Sequence, residues 1–222
     1  MQLTHLGQSC LLIEDGGARV LIDPGVLSPG AEELTELDAV LATHGHADHL
    51  DVERLPVLLD GNPTAGLITE PQTAVELTRV GLSAHPLHPG ETTTVAGFEV
   101  TAVGGWHGNV HPELPPVPNI GFLLRGPSGT TLFHPGDALD ARPSPEITID
   151  GLALPISGSW LRLGEAVEFA RAVGAHAVVP VHDGPLSPYG RRVAWAWLRR
   201  LLPMPVLEPT EPFELPERAA LG

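Results

Sequence analysis

The sequence predicts a mixed α/β (α+β) chain in which two similar strand-rich layers share one seam. Three observations predict it. Short apolar strand patterns alternate with helical patterns along all 222 residues, and the alternation of the first half recurs in the second. Gly (25) and Pro (24) punctuate the chain closely enough to keep its elements short. Four strand ends each deliver metal-capable side chains: His44, His46, Asp48 and His49 at the first, then His107, Asp137 and His182. No linker separates two independent units, so one domain over residues 1–222 is expected.

Composition narrows the chemistry. Cys10 is alone, which rules out an intrachain disulfide and a thiolate metal cluster; between Ser9 and Leu11 it reads as a buried strand residue. All 12 basic residues are Arg, so neither Schiff-base chemistry nor a P-loop is open to the chain. A net charge of −15 repels nucleic acid and anionic membranes at long range, and neither is an expected partner. No apolar run reaches membrane-spanning length, and Met1-Gln2-Leu3-Thr4-His5 lacks the basic-then-apolar layout of a signal peptide; a cytoplasmic location is expected.

Taken in order, residues 2–22 read as strand, turn and strand. Stretches 10–13 and 20–22 flank Glu14-Asp15-Gly16-Gly17, a hairpin signal, and Asp23-Pro24-Gly25 stops the last strand. Asp23 is expected to serve that turn; the alternative is a partner that orients a metal-bound histidine. A short helix is expected over 31–37 and a strand over 38–43. Asp51 is a candidate N-cap for a helix over 52–59, with Pro56 disturbing its start. A strand at 66–69 precedes a helix at 71–80, which has Pro71 at its first position and Gly81 at its end. His85 and His88, among prolines, read as surface or turn residues, and 92–95 pairs with 98–103 around Ala96-Gly97.

The strand at 38–43 runs into Thr43-His44-Gly45-His46-Ala47-Asp48-His49-Leu50-Asp51, where three imidazoles and two carboxylates share nine positions. On a loop leaving a strand, His44 and His46 can aim two ring nitrogens at one cation while Asp48 and His49 serve a second. The bland alternative, a polar turn with solvated histidines, predicts no matching ligands elsewhere.

Matching ligands occur. The strand at 98–103 opens into Gly104-Gly105-Trp106-His107 and a proline-rich loop to Pro118; a loop of this length inside a compact chain is functional or disordered. His107 is the third imidazole for the first metal. Strands at 119–124 and 130–133 enclose Gly126-Pro127-Ser128-Gly129, and Asp137 follows the second of them, where a carboxylate can bridge two cations. His134 reads as packing or as support for a ligand. After a strand at 151–156 and a helix at 163–173, the apolar strand at 176–181 ends on His182-Asp183. A helix at 188–202 partly covers the sheet, and the tail from Pro203 adds at most a short strand near Val206. Trp106, His111 and Trp160 are the candidate substrate contacts.

The series His44-x-His46-x-Asp48-His49, His107, Gly136-Asp137 and late His182 resembles that of the metallo-β-lactamase superfamily of metal-dependent hydrolases. The resemblance covers nearly the whole chain. It is greatest to the compact branch of uncharacterised metal-dependent hydrolases and ascorbate-6-phosphate lactonase-like enzymes. It implies a four-layer αββα sandwich with the site on one edge. Position by position, it implies that His44, His46 and His107 hold one metal, Asp48, His49 and His182 the other, and that Asp137 bridges them. Two divalent ions per chain are implied, Zn2+ first, with Mn2+, Fe2+ or Ni2+ suiting the same donors.

The implied reaction is cleavage of an ester, lactone or phosphoester of a small molecule by a hydroxide activated between the ions. Asp48 would orient that hydroxide and pass a proton to the leaving group. Because the histidines must be neutral to ligate, occupancy is expected to fall as pH drops through about 6. Two rival readings stand beside this one. A single iron in the same ligand set could oxidise a persulfide, or the chain could bind metal without catalysis, a reading opposed by the presence of all the expected ligands. A homo-oligomer formed through the Trp-rich C-terminal helix is a further expectation.

Overall fold

The structure is a computed structural model and describes residues 1–208 and 212–215; residues 209–211, and 216–222 at the end of the expected domain, lie outside the described residues. Two sheets form, each with an antiparallel part and a parallel part. In the first, β1 (Gln2–Gly7), β2 (Cys10–Asp15) and β3 (Ala18–Ile22) are antiparallel neighbours. Then β3 pairs in parallel with β4 (Ala39–Ala42), with α1 (Leu55–Gly61) leading on to β5 (Gly66–Thr69) and α2 (Pro71–Arg79) to β6 (His85–Pro86), both parallel additions.

The second sheet repeats this plan. Strands β7 (Thr92–Val95), β8 (Phe98–Val103), β9 (Gly121–Arg125) and β10 (Thr131–His134) are antiparallel, and β11 (Gly151–Pro155) then joins β10 in parallel. Helix α3 (Leu163–Val173) crosses to β12 (Ala177–Val181), α4 (Pro188–Leu201) follows, and β13 (Phe213–Glu214) returns to pair with β1 of the first sheet.

Alternate residues of one strand serve two layers, which is why the central strands read as unbroken apolar runs. Leu11, Ile13, Ile22 and Leu41 point between the sheets and meet Phe98, Val100, Phe122 and Leu124. Their neighbours Cys10, Leu12, Leu21 and Val40 point outward to Leu55, Leu58 and Leu77 of α1 and α2. On the other side Leu123, Phe133, Leu152 and Val178 meet Phe169, Trp195 and Leu198 of α3 and α4. The result is the expected αββα sandwich. Among the described residues no helix is long and apolar enough to cross a membrane.

Several elements differ from their expectation. The helix expected over 31–37 is a single 3₁₀ turn, Ala31–Glu33. Asn62 explains this: its side chain accepts the Leu37 N–H and donates to the Leu34 carbonyl, tying that segment down as a loop. Helix α1 begins at Leu55 rather than 52, because the Asp51 carboxylate accepts the N–H groups of Glu53 and Arg54 in a turn that precedes it. Residues 119 and 120 lie before β9, and near Val206 there is only an isolated bridge to Val178. Strands β6 and β13, two residues each, were not expected.

Candidate metal centre

Strands β3, β4 and β5 run parallel, as do β10, β11 and β12, and β8 runs in the same sense as β10 because β9 opposes both. Their C-terminal ends therefore lie on one edge. Asp23 follows β3, His44 to His49 follow β4, His107 follows β8, Asp137 follows β10, Trp160 lies beyond β11 and His182 follows β12.

The seven side chains expected to hold metal come together there. Candidate ligand atoms of His44, His46 and His107 lie within 4.8 Å of one another, as do those of Asp48, His49 and His182, and those of His44, His49 and Asp137. Asp137 stands between the first two groups. Its Oδ2 is 3.3 Å from His107 Nε2 and 3.0 Å from His182 Nε2, and its Oδ1 is 3.1 Å from His49 Nε2. Asp48 Oδ2 lies 3.3 Å from His182 Nε2.

Charge distribution follows from this crowding. Burial opposes charge on His49, but the Asp137 and Asp23 carboxylates prevail and hold its pKa well above the ordinary histidine value. His182 is likewise lifted, against its burial, to about 9 by the Asp137 and Asp48 carboxylates that face it. His44 and His46 go down, chiefly through burial and then through neighbouring imidazoles. Burial raises both carboxyls, yet the histidines facing them win: Asp48 is held at about 2 and Asp137 well below the usual range. Protons on His49 and His182 thus occupy the place that a cation would take. Because a ligating imidazole must be neutral, the raised His182 sets a proton in competition with a cation at that ring.

The residues fit a metal. His49 Nε2, His182 Nε2 and Asp137 Oδ1 are buried without hydrogen-bond partners among the described residues, and all three face the shared centre. Such orphaned groups are costly unless something satisfies them. Imidazole and carboxylate donors are the set that holds divalent ions.

A second ring of residues fixes the first. Asp23 is fully buried with φ 51°; its Oδ1 accepts the Thr43 N–H at 2.7 Å and its Oδ2 accepts the Thr43 hydroxyl and faces His49 Nδ1 at 2.7 Å. It is thus both the turn residue favoured from sequence and the histidine partner. Asn119 accepts the Asp137 N–H and donates to the Pro135 carbonyl. His134 is buried, its Nδ1 accepting the Gly136 N–H and its Nε2 lying 3.0 Å from the Ser9 carbonyl, which shapes the turn ahead of Asp137.

Gln8 was missed by sequence reasoning. It is buried in the β1–β2 turn with φ 52°, donates to Asp48 Oδ2 at 2.8 Å and accepts the Gly184 N–H. The only available signal was a polar residue breaking the apolar alternation at a strand end.

The three candidate substrate contacts separate. Trp160 donates its indole N–H to Asp137 Oδ2 at 2.9 Å, and Gly108 leaves room for its ring, since a Cβ there would lie 2.2 Å from it. Trp106 is exposed on the wall of a cavity that His46 and His107 also line. His111 is exposed, accepts the Glu113 N–H, and is not brought to the cluster.

Comparison with known proteins agrees with this geometry. A family model described as the beta-lactamase superfamily domain matches residues 2–182. Protein Rv0786c of Mycobacterium tuberculosis is 43% identical over 202 residues, covering 90% of this chain and 92% of that protein. A UPF0173 metal-dependent hydrolase of Carboxydothermus hydrogenoformans is 31% identical over 196 residues, 82% of this chain and 84% of the relative. The crystal structure of the metallo-beta-lactamase fold protein YhfI from Bacillus subtilis superposes with a TM-score of 0.70 at 17% identity, covering 96% of this chain and 99% of that one, which shows the fold.

Proposed function

This chain belongs to the beta-lactamase superfamily domain family, and from that membership we propose that it is a metal-dependent hydrolase whose residues 1–222 act as one unit. In this reading His44, His46 and His107 would hold one divalent ion and Asp48, His49 and His182 a second, with Asp137 available to both. The observation that carries it is the convergence of seven donor side chains from four strand ends on one centre, with buried nitrogens and a carboxylate oxygen left unpartnered. When bound, the ions, Zn2+ first among those the donors suit, would supply an acidified water and a Lewis acid for the scissile carbonyl or phosphoryl oxygen.

The chain's own residues do the rest. Asp48 stays ionised, held at about 2, and its half-buried carboxylate faces solvent beside His46, where a substrate arrives. It accepts a proton from the attacking water and returns it to the departing oxygen as the substrate bond breaks, so one water is consumed and no other reactant is needed. Gln8, bonded to Asp48 Oδ2, sets the direction of that carboxylate. Trp160 and Asn119 hold Asp137 in place through its carboxylate and its backbone N–H. The substrate is a small-molecule ester, lactone or phosphoester, with neither nucleic acid nor membrane as a partner.

Elemental analysis of protein purified without added metal, beside Asp137→Ala, tests the reading. About two divalent ions per chain, falling sharply in the variant, with turnover of one of the three bond classes, is the expected result. About one iron per chain together with thiol-dependent oxygen uptake would overturn it in favour of persulfide oxidation.

A further inference from the structure

The loop leaving β8 is closed at its neck and stiff along its length. Trp106 bridges to Pro118, the His107 N–H donates to the Val117 carbonyl at 2.9 Å, and the Asn119 N–H donates to the Gly105 carbonyl at 3.2 Å. The Leu114 N–H bonds back to the His111 carbonyl, and Pro112, Pro115 and Pro116 fix their own φ angles. The loop therefore holds its shape before any ligand arrives.

What it presents is apolar. Trp106, Val110 and Leu114 are 56%, 46% and 55% exposed, and together with the prolines they wall a cavity of about 550 Å³ whose other side is His46 and His107. One exposed apolar side chain is ordinary on a protein surface, but a contiguous group beside a polar cluster marks a binding site. The volume lies within the range of small-molecule clefts.

Charge points the same way. Among the described residues, no Arg, Asp or Glu lines this cavity. The adjoining cavity of about 680 Å³ shares His107, and there Arg142 is outnumbered by Asp140, Glu165 and Glu168. The chain has no lysine and a net charge of −15. Apart from any ion held by His46 and His107, the loop side of the groove offers no charged side chain to a substrate's tail, whereas an uncharged apolar chain loses only unfavourable hydration on entering it.

We propose that the 106–117 loop is the binding wall for the apolar chain of a carboxylic ester or lactone. The proposal rests on the hydrolase reading above and narrows it. The acyl C–O single bond breaks, the oxygen of water goes to the acyl carbon, and the alcohol departs with one proton; a lactone opens to its hydroxy acid.

Two measurements test it. With zinc-loaded protein, kcat/KM for p-nitrophenyl acetate, butyrate, hexanoate and octanoate should rise about two- to fourfold per methylene until the groove is filled. In Leu114→Asp, an exposed position where folding is not at risk, the octanoate-to-acetate ratio should fall at least tenfold. With metal-free protein, calorimetry should show octanamide binding and acetamide not, and Leu114→Asp should abolish the octanamide signal. A flat chain-length series overturns the apolar wall while leaving a hydrolase. Chain-dependent amide binding with no turnover of any ester keeps the wall and sinks the hydrolase reading instead.

Discussion

Asp23→Asn isolates the role of the buried carboxylate behind His49. Asparagine is nearly isosteric and tolerates the left-handed backbone at φ 51°, so the variant adds no backbone strain. Its amide oxygen keeps the Thr43 N–H, and the Thr43 hydroxyl can turn to accept from the new NH2. Only the 2.7 Å contact with His49 Nδ1 has no replacement, because an amide N–H now faces a ring nitrogen that carries a proton. His49 must then give up its Nδ1 proton and keep the one on Nε2, the atom 3.1 Å from Asp137 Oδ1 that a metal would need.

Loss of one charge-assisted bond predicts about 1.5–3 kcal/mol less stability for the metal-free protein, and loss of an outer partner predicts metal affinity lower by about 10- to 100-fold. Urea unfolding reads the first, competition against a chelator reads the second, and ¹⁵N shifts of the His49 ring show which nitrogen carries the proton. Metal affinity within twofold of the parent, with the proton still on Nδ1, would refute the orienting role.

Three further outcomes follow from the same geometry. Metal-free protein should be most stable near neutral pH. His182 binds its proton more tightly when folded, a contribution of about 3 kcal/mol that is complete below pH 6.5 and lost as pH rises to about 9. His44 and His134 resist protonation when folded and so weaken the fold as pH drops below 6.5; stability that instead climbs steadily from pH 6.5 to 9 would contradict the pairing of His182 with carboxylates. Gly136→Ala places a Cβ 2.3 Å from Asn119 Oδ1 at φ 62° and should cost about 2–3 kcal/mol in urea unfolding, with metal content falling alongside; an unchanged midpoint would show that the turn has slack. Trp160→Phe removes the indole donor from Asp137 and should lower metal affinity about tenfold in chelator competition, and equal affinities would reduce the bond to packing.

The legible and illegible parts of this chain divide along a physical line. Strand cores and metal-capable clusters depend on residue type in short windows, so the apolar runs and the dense 43–51 segment were readable on their own. Strand β6 and strand β13 owe their existence to the edge that each joins, and nothing in His85-Pro86 or Phe213-Glu214 marks them as extended. The 3₁₀ turn at Ala31 is set by Asn62, thirty-odd positions away, for the same reason.

Within the site, the side chains that meet at the centre come from strand ends and could be anticipated because a chain that buries both faces of its parallel strands has only the loops beyond them for polar groups. Gln8 escaped because an amide carries no charge, and its value lies wholly in where a left-handed turn aims it. Asp23 was only half read, since a carboxylate after a strand end satisfies the rule for turns before it satisfies any rule for histidine partners. That both roles fall to one residue has a physical cause: the left-handed conformation that ends β3 also folds the Asp23 carboxylate back toward the end of β4, where it meets Thr43 and His49.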